Sequence, residues 1–252
     1  MSRKVKVIIL FCSFIFVFGI YNLFSKESKK INYIALGDSI AEGMNAYSNV
    51  DFGYPDYIKD YLEKNKLLKS YTKMFAKSGY TIKDLTNDIE KNKKIETMNR
   101  VLYLKEELRE SDLVTLTIGA NDFIKGITIE NIEEKLSDKA KSKKDIDIII
   151  MELKDLIILI KQYAKGSIIV TGYYNPLPRL INYKSEIDEY VKYYNNNLEE
   201  LCDELNVNYI NIFDIFDGNE KALPNPLNIH PNTYGYNLIA NEIIKTIEEL
   251  TK

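Results

Sequence analysis

Histidine is nearly missing from this chain: of 252 residues only His230 carries an imidazole. Any reaction that needs a histidine base therefore has a single candidate. Cysteine is almost as scarce. Cys12 lies in an apolar N-terminal run and Cys202 in a helical pattern, so no intrachain disulfide is expected and neither sits in a metal-ligand spacing. An excess of one charge is lacking as well: 34 basic against 37 acidic residues give a net charge of -3. The two signs are interspersed along the helical stretches, which leaves no phosphate-binding face and argues against nucleic acid as a partner. No repeat or low-complexity tract breaks the chain. With 45% hydrophobic and 28% charged residues, it can build one sizeable globular domain behind an N-terminal segment.

That segment is where charge disappears altogether. Arg3, Lys4 and Lys6 are followed by nineteen uncharged residues, Val7 to Ser25, close to the roughly 20 helical residues that cross a hydrocarbon core of about 30 Å. The basic flank is expected to stay cytoplasmic and the domain to lie outside. Tyr21–Ser25 is bulky where a signal peptidase needs small residues, and Cys12 lacks a lipoprotein context. Residues 1–25 are thus expected to be a retained signal anchor, with a cleaved signal peptide and a secreted product as the alternative. A buried core helix is the third possibility. Residues 26–30 read as a polar stalk and 31–252 as the folded domain.

The domain opens with an apolar run, Ile31 to Leu36, that stops at Gly37-Asp38-Ser39-Ile40. Within it Tyr33–Leu36 reads as a short buried strand, and the glycine permits a sharp turn that presents Ser39 at the strand's carboxyl end. In open α/β sheets that edge is where ligands bind. All three turn residues are also ordinary turn formers, so the tripeptide alone is equally a bare surface turn. A serine hydroxyl needs a base to become a nucleophile, and His230, just ahead of a C-terminal helical pattern, is the one histidine available. A histidine before proline at a helix entrance is, taken singly, a surface or capping residue.

Between these ends the chain alternates strand and helix. Tyr54, Tyr57, Ile58, Tyr61 and Leu62 recur at helical spacing, with Pro55 in the first turn, and read as packing. A second strand is expected over Tyr71–Ala76, ending at Gly79, with Thr81 as a helix cap. Helices are expected at 82–93 and 95–110, and a third strand over Asp112–Ile118, ending in Gly119-Ala120-Asn121-Asp122. An asparagine amide can hold an oxyanion without competing for the proton, although Asn-Asp is also a common turn; Asp122 reads as a loop anchor. A helical region at 129–165 is expected to break into a solvated loop at Lys139–Lys144. A strand at Ser167–Thr171 leads into a loop whose Tyr173 and Tyr174 could line an acyl or leaving-group pocket or simply pack. A helix at 185–206, a strand at Tyr209–Phe213 and a final helix at 233–250 complete a β-then-α order. That order predicts a parallel sheet covered by helices on both faces.

Gly37-Asp38-Ser39-Ile40, Gly79, Gly119-Ala120-Asn121-Asp122 and His230-Pro231 resemble, in order and approximate spacing, the four motif blocks of the SGNH (GDSL-type) esterase and lipase family. The resemblance covers about residues 31–250. It implies a three-layer α/β/α sandwich with a mainly parallel five-stranded, flavodoxin-like sheet. It also implies hydrolysis of carboxylic esters through an acyl-serine: Ser39 as nucleophile, His230 as base, and the Ser39 and Gly79 N–H groups with the Asn121 amide as oxyanion donors. The substrate would be a small-molecule or lipid ester at the outer membrane face, and no cofactor or metal is called for. One feature departs from the pattern. The family's aspartate, three residues before the histidine, is replaced by Leu227, and no acidic residue lies between Glu220 and Glu242. A backbone carbonyl, Asn225, Asn228 or a distant carboxylate such as Asp217 is left to orient His230, so a Ser-His dyad or modest activity is expected. Acyl transfer to envelope sugars and a non-catalytic anchored binding protein are the alternatives.

Overall fold

In a computed structural model, which describes residues 30–124, 132–177, 181–226 and 228–250, the first apolar run is strand β1, Ile31–Gly37. Gly37 ends it at φ 138°, where a Cβ would stand 2.0 Å from the Thr117 carbonyl oxygen, so only glycine fits this turn. The one-turn helix α1 (Ser39–Glu42) follows at once, and then α2 (Tyr54–Lys64), with Pro55 in its first turn. Tyr54, Ile58 and Leu62 of α2 are fully buried, as the helical spacing of these residues requires.

Strand β2 (Leu68–Thr72) leads to helix α3 (Ile82–Glu90). Thr81 caps α3 reciprocally: its hydroxyl accepts the Asp84 N–H, and the Asp84 carboxylate accepts the Thr81 N–H at 3.0 Å. Next come a small hairpin of β3 (Lys94–Glu96) and β4 (Val101–Tyr103), helix α4 (Leu104–Glu110), strand β5 (Leu113–Thr117) and helix α5 (Ala120–Ile124). Helices α6 (Ile132–Ser137) and α7 (Lys139–Tyr163), strand β6 (Ser167–Thr171), helix α8 (Lys184–Leu205), strand β7 (Asn208–Ile210), helix α9 (Phe213–Phe216) and helix α10 (Thr233–Leu250) complete the order.

The main sheet is five-stranded and parallel, in the order β2-β1-β5-β6-β7. The chain builds outward from β1 to β2, then crosses back and builds the other way through β5. A crevice opens at that reversal, beyond the carboxyl ends of β1 and β5, with Gly37 paired to Thr117 at its floor. Side chains alternate across the sheet. Ile34, Leu36, Val114 and Leu116 join a core with α3, α4, α7 and α8, whereas Tyr33, Ala35, Leu113 and Ile169 join one with α2 and α10. Both faces are covered, which is why neither β1 nor β5 carries a charged residue. Ile31–Lys252 is one compact unit.

Several expected boundaries move. The second strand lies at Leu68–Thr72, because Lys73–Ala76 closes a turn, the Ala76 N–H meeting the Lys73 carbonyl at 3.0 Å. The expected helix at 95–110 is helical only from Leu104. Lys94–Glu96 pairs antiparallel with Val101–Tyr103, placing Ile95 and Leu102 against the core. Lys139–Lys144 is the first part of α7 rather than a loop. The break is at Asp138, whose carboxylate caps α7 at the Lys141 N–H, while Lys139 and Lys143 pair with Glu189 on α8. The last strand stops at Ile210, since the Asn211 side chain accepts the Phe213 N–H at 2.8 Å and starts α9. The N-terminal segment expected as a membrane anchor or signal peptide lies outside the described residues. Among the described residues no helix is long and apolar enough to cross a membrane.

Candidate active site

Four loops from the carboxyl edge of the sheet meet at the crevice. Ser39 is the first residue of α1, and the Asp38 carboxylate before it caps that helix through the Ile40 N–H at 3.0 Å. Placing the serine at the first helical position leaves its N–H without an intrahelical partner, and the side chain is only 7% exposed. His230 comes from the far end of the chain. Its Nε2 lies 2.8 Å from Ser39 Oγ. The loop carrying it is held by the Tyr174 hydroxyl, which donates to the Ile229 carbonyl at 2.8 Å, and by α10 immediately after.

Of the groups proposed to orient the imidazole, Asn228 is the one in place. Its Oδ1 is 2.6 Å from His230 Nδ1 and also accepts the His230 backbone N–H at 3.0 Å. The Asn228 Nδ2 donates to Ser48 Oγ at 3.0 Å, so the amide oxygen is the end that faces the ring. Nδ1 must then carry the ring proton, and Nε2 presents its lone pair to the serine. Asn225 is engaged elsewhere, donating to the Ala46 carbonyl at 2.9 Å, and Asp217 pairs with Lys184 at 3.1 Å. Burial lowers the His230 pKa, and the neutral amide supplies no charge to raise it.

Gly79 lies in the loop after β2, next to Ser78, and sits at φ 80° with open space where a Cβ would be. Neither its N–H nor that of Ser39 makes a hydrogen bond among the described residues. Asn121 lines the same cavity as Ser39. One of its two N–H groups is satisfied by the Tyr80 carbonyl at 2.8 Å. The loops are cross-linked below these donors: Glu42 on α1 accepts the Ser78 N–H at 2.7 Å, and Asp122 accepts the Ile82 N–H at the start of α3 at 3.1 Å. Asp122 is thus the loop anchor expected of it. Its half-buried carboxyl is pushed up to about 6 by desolvation.

Sequence reasoning missed a second layer beneath the serine. Asp38 is 1% exposed, and burial raises its carboxyl to about 7 despite the Ile40 N–H and the Tyr173 hydroxyl that favour its charge. That Tyr173 hydroxyl donates to Asp38 Oδ2 at 3.1 Å and accepts the Ala120 N–H at 3.1 Å, joining the serine turn to the asparagine loop. Ser48 and Glu42 were missed for the same reason: their partners are distant in sequence and only the folded chain brings them together. A cavity of about 180 Å3 opens beside Ser39 between the α5 and α8 regions. Among the described residues no group of three or more His, Cys, Asp or Glu side chains is arranged to hold a metal ion.

A family model described as the GDSL-like lipase/acylhydrolase family matches residues 35–238. Among curated proteins, the chain is 26% identical over 236 residues to the uncharacterized protein YpmR of Bacillus subtilis (strain 168), covering 89% of this chain and 84% of that one. It is 21% identical over 217 residues to the spore germination lipase LipC of Bacillus licheniformis, covering 84% and 94%. Among solved structures, a variant of Axe2, an acetyl-xylooligosaccharide esterase from Geobacillus stearothermophilus, superposes with a TM-score of 0.63 at 19% identity, covering 88% of this chain and 96% of that one. The goat-rumen metagenome lipase Lip_vut3 superposes at 0.61 with 20% identity, covering 84% and 95%. Both structural likenesses bear on the fold.

Proposed function

The chain belongs to the GDSL-like lipase/acylhydrolase family, and from that premise we propose that it hydrolyses carboxylic esters through an acyl-serine formed on Ser39. The observation that carries this reading is the 2.8 Å contact of His230 Nε2 with Ser39 Oγ, made while Asn228 holds the other ring nitrogen. Ser39 Oγ attacks the ester carbonyl as its proton passes to Nε2. The oxyanion is received by the Ser39 and Gly79 N–H groups and the remaining Asn121 N–H. One such donor is typically worth about 3 to 4 kcal/mol. The imidazolium then protonates the leaving alcohol. Water, deprotonated by the same nitrogen, attacks the acyl-serine and releases the acid.

The location proposed for this reaction is the outer face of a membrane, with residues 1–25 as a single-pass anchor. The basic cluster Arg3, Lys4 and Lys6 and the uncharged run behind it support that placement.

The test is hydrolysis of p-nitrophenyl esters by the full-length chain in mild detergent, beside Ser39→Ala and His230→Ala, with an organophosphonate ester as a covalent probe. Turnover and Ser39 labelling in the wild type, with turnover lost in both variants, are expected. Absence of both turnover and labelling in the wild type would remove the enzymatic reading of the site.

A further inference from the structure

The cavity beside Ser39 is walled by Phe123, Leu136, Ile146, Ile187, Tyr190 and Val191. Its tyrosines offer hydrocarbon rather than hydroxyls. The Tyr190 hydroxyl donates to the Leu136 carbonyl at 2.7 Å, that of Tyr194 to the Ile118 carbonyl at 3.3 Å, and that of Tyr174 to the Ile229 carbonyl at 2.8 Å. The Tyr173 hydroxyl is taken by Asp38 and Ala120. A sugar or other hydroxylated group placed here would lose its water without gaining a partner. An alkyl chain loses nothing.

The cavity also has a side. Ile229 forms part of its wall, and the His230 ring does not. The leaving oxygen must stand at His230 Nε2 to be protonated, so the substituent that enters a cavity the His230 ring does not line is the acyl chain. Its size sets the length. A cavity of about 150 Å3 lined by Leu, Ile and Phe accommodates benzene, six carbons; about 180 Å3 holds correspondingly about six to eight carbons.

We propose that the enzyme is selective for medium-chain acyl esters, with the chain from hexanoyl to octanoyl filling this cavity. This deepens the ester-hydrolase reading above and rests on it.

The test is a p-nitrophenyl ester series, acetate to palmitate, on the full-length chain, with the phosphonate probe reporting an intact site. Burial of each methylene multiplies transition-state binding by up to about fourfold. The kcat/KM is accordingly expected to rise at least about tenfold from acetate to a maximum at hexanoate or octanoate, and to fall at palmitate. Val191→Phe, which narrows the cavity from a half-buried position, is expected to cut the octanoate-to-acetate ratio about tenfold while Ser39 still labels. A maximum at acetate, a rise continuing to palmitate, or an unchanged ratio in a labelled Val191→Phe protein would overturn the proposal and leave the esterase reading standing. A preference for octyl acetate over methyl octanoate would likewise overturn it, by placing the alcohol in the cavity. No hydrolysis at any length with no labelling would overturn both.

Discussion

Asn228 Oδ1 stands 2.6 Å from His230 Nδ1, where a serine–histidine hydrolase ordinarily keeps an aspartate. The amide reproduces one of the aspartate's two tasks. It fixes the tautomer and the ring plane, because Ser48 holds its nitrogen end away from the imidazole. It cannot perform the other, which is to stabilise the imidazolium by charge.

The pH profile should carry that difference. Burial lowers the His230 pKa, so the acid limb of kcat/KM is expected below the free imidazole value of about 6.5. Asn228→Asp adds a negative charge at Nδ1, which favours the protonated ring. Its acid limb is expected to move up by about one pH unit, with kcat on the plateau raised several-fold. Asn228→Ala keeps no orienting group and is expected to lose about 10- to 100-fold in kcat. Coincident acid limbs for wild type and Asn228→Asp would show that the contact does not govern the base.

Asn121 and its neighbour Asp122 should separate cleanly. Asn121→Ala removes an oxyanion donor and is expected to lower kcat by about 10²- to 10³-fold with a smaller effect on KM. Asp122→Ala removes a carboxylate from the Ile82 N–H and is expected to cost about 1 kcal/mol of stability, the scale of a helix cap, read by urea denaturation. Equal kcat losses in the two variants would mean that Asn121 acts only through its bond to Tyr80.

Glu42 ties helix α1 to the Gly79 loop through the Ser78 N–H and hydroxyl. Glu42→Ala leaves that half-buried N–H without its partner and frees the loop. A kcat loss of about tenfold is expected, along with a stability loss of about 1 to 2 kcal/mol. A variant equally destabilised elsewhere that keeps full kcat would establish that positioning, not unfolding, is responsible.

Asp38 predicts how stability depends on pH. Its carboxyl is raised from 3.8 to about 7 in the folded protein. Between those values the folded state binds more protons than the unfolded state, so this group makes stability fall as pH rises from about 4 to 7. The raised value bounds the effect at about 4 kcal/mol. Asp38→Asn keeps an acceptor for the Ile40 N–H and removes the titration. It is expected to make the stability curve shallower over that window, leaving the part that Asp122 contributes, as measured by chemical denaturation at pH 4, 5.5 and 7. A slope unchanged from wild type would assign the pH dependence to another group.

How much of this was legible in the sequence depended on how locally each feature is determined. Strands β1, β5 and β6 and helix α10 were readable because each is buried along its length or along one periodic face. The hairpin at Lys94–Tyr103 was not read, although Ile95 and Leu102 are its core-facing positions. Its strands are only three residues long, too short for a period to outweigh the helix formers around them. Lys139–Lys144 looked like a loop because its lysines are solvated. They are the outer face of a helix whose buried contacts begin at Ser142 and Ile146. Ser39, Gly79, Asn121 and His230 could be named from their blocks. The group orienting His230 could only be narrowed to a few, since Asn228 is selected by Ser48, 180 residues away.

The order along the chain puts Ser39 in the first strand–helix turn of the domain and His230 just before α10, with Tyr57 and Tyr61 of α2 bonded to Thr233 and Glu248 of α10. A chain still emerging from the ribosome therefore has Ser39 but not His230, and under the proposed mechanism a half-made polypeptide lacks the base that would activate its serine. Under that mechanism turnover would report that helix α10 has docked, so that activity would serve as the readout of complete folding.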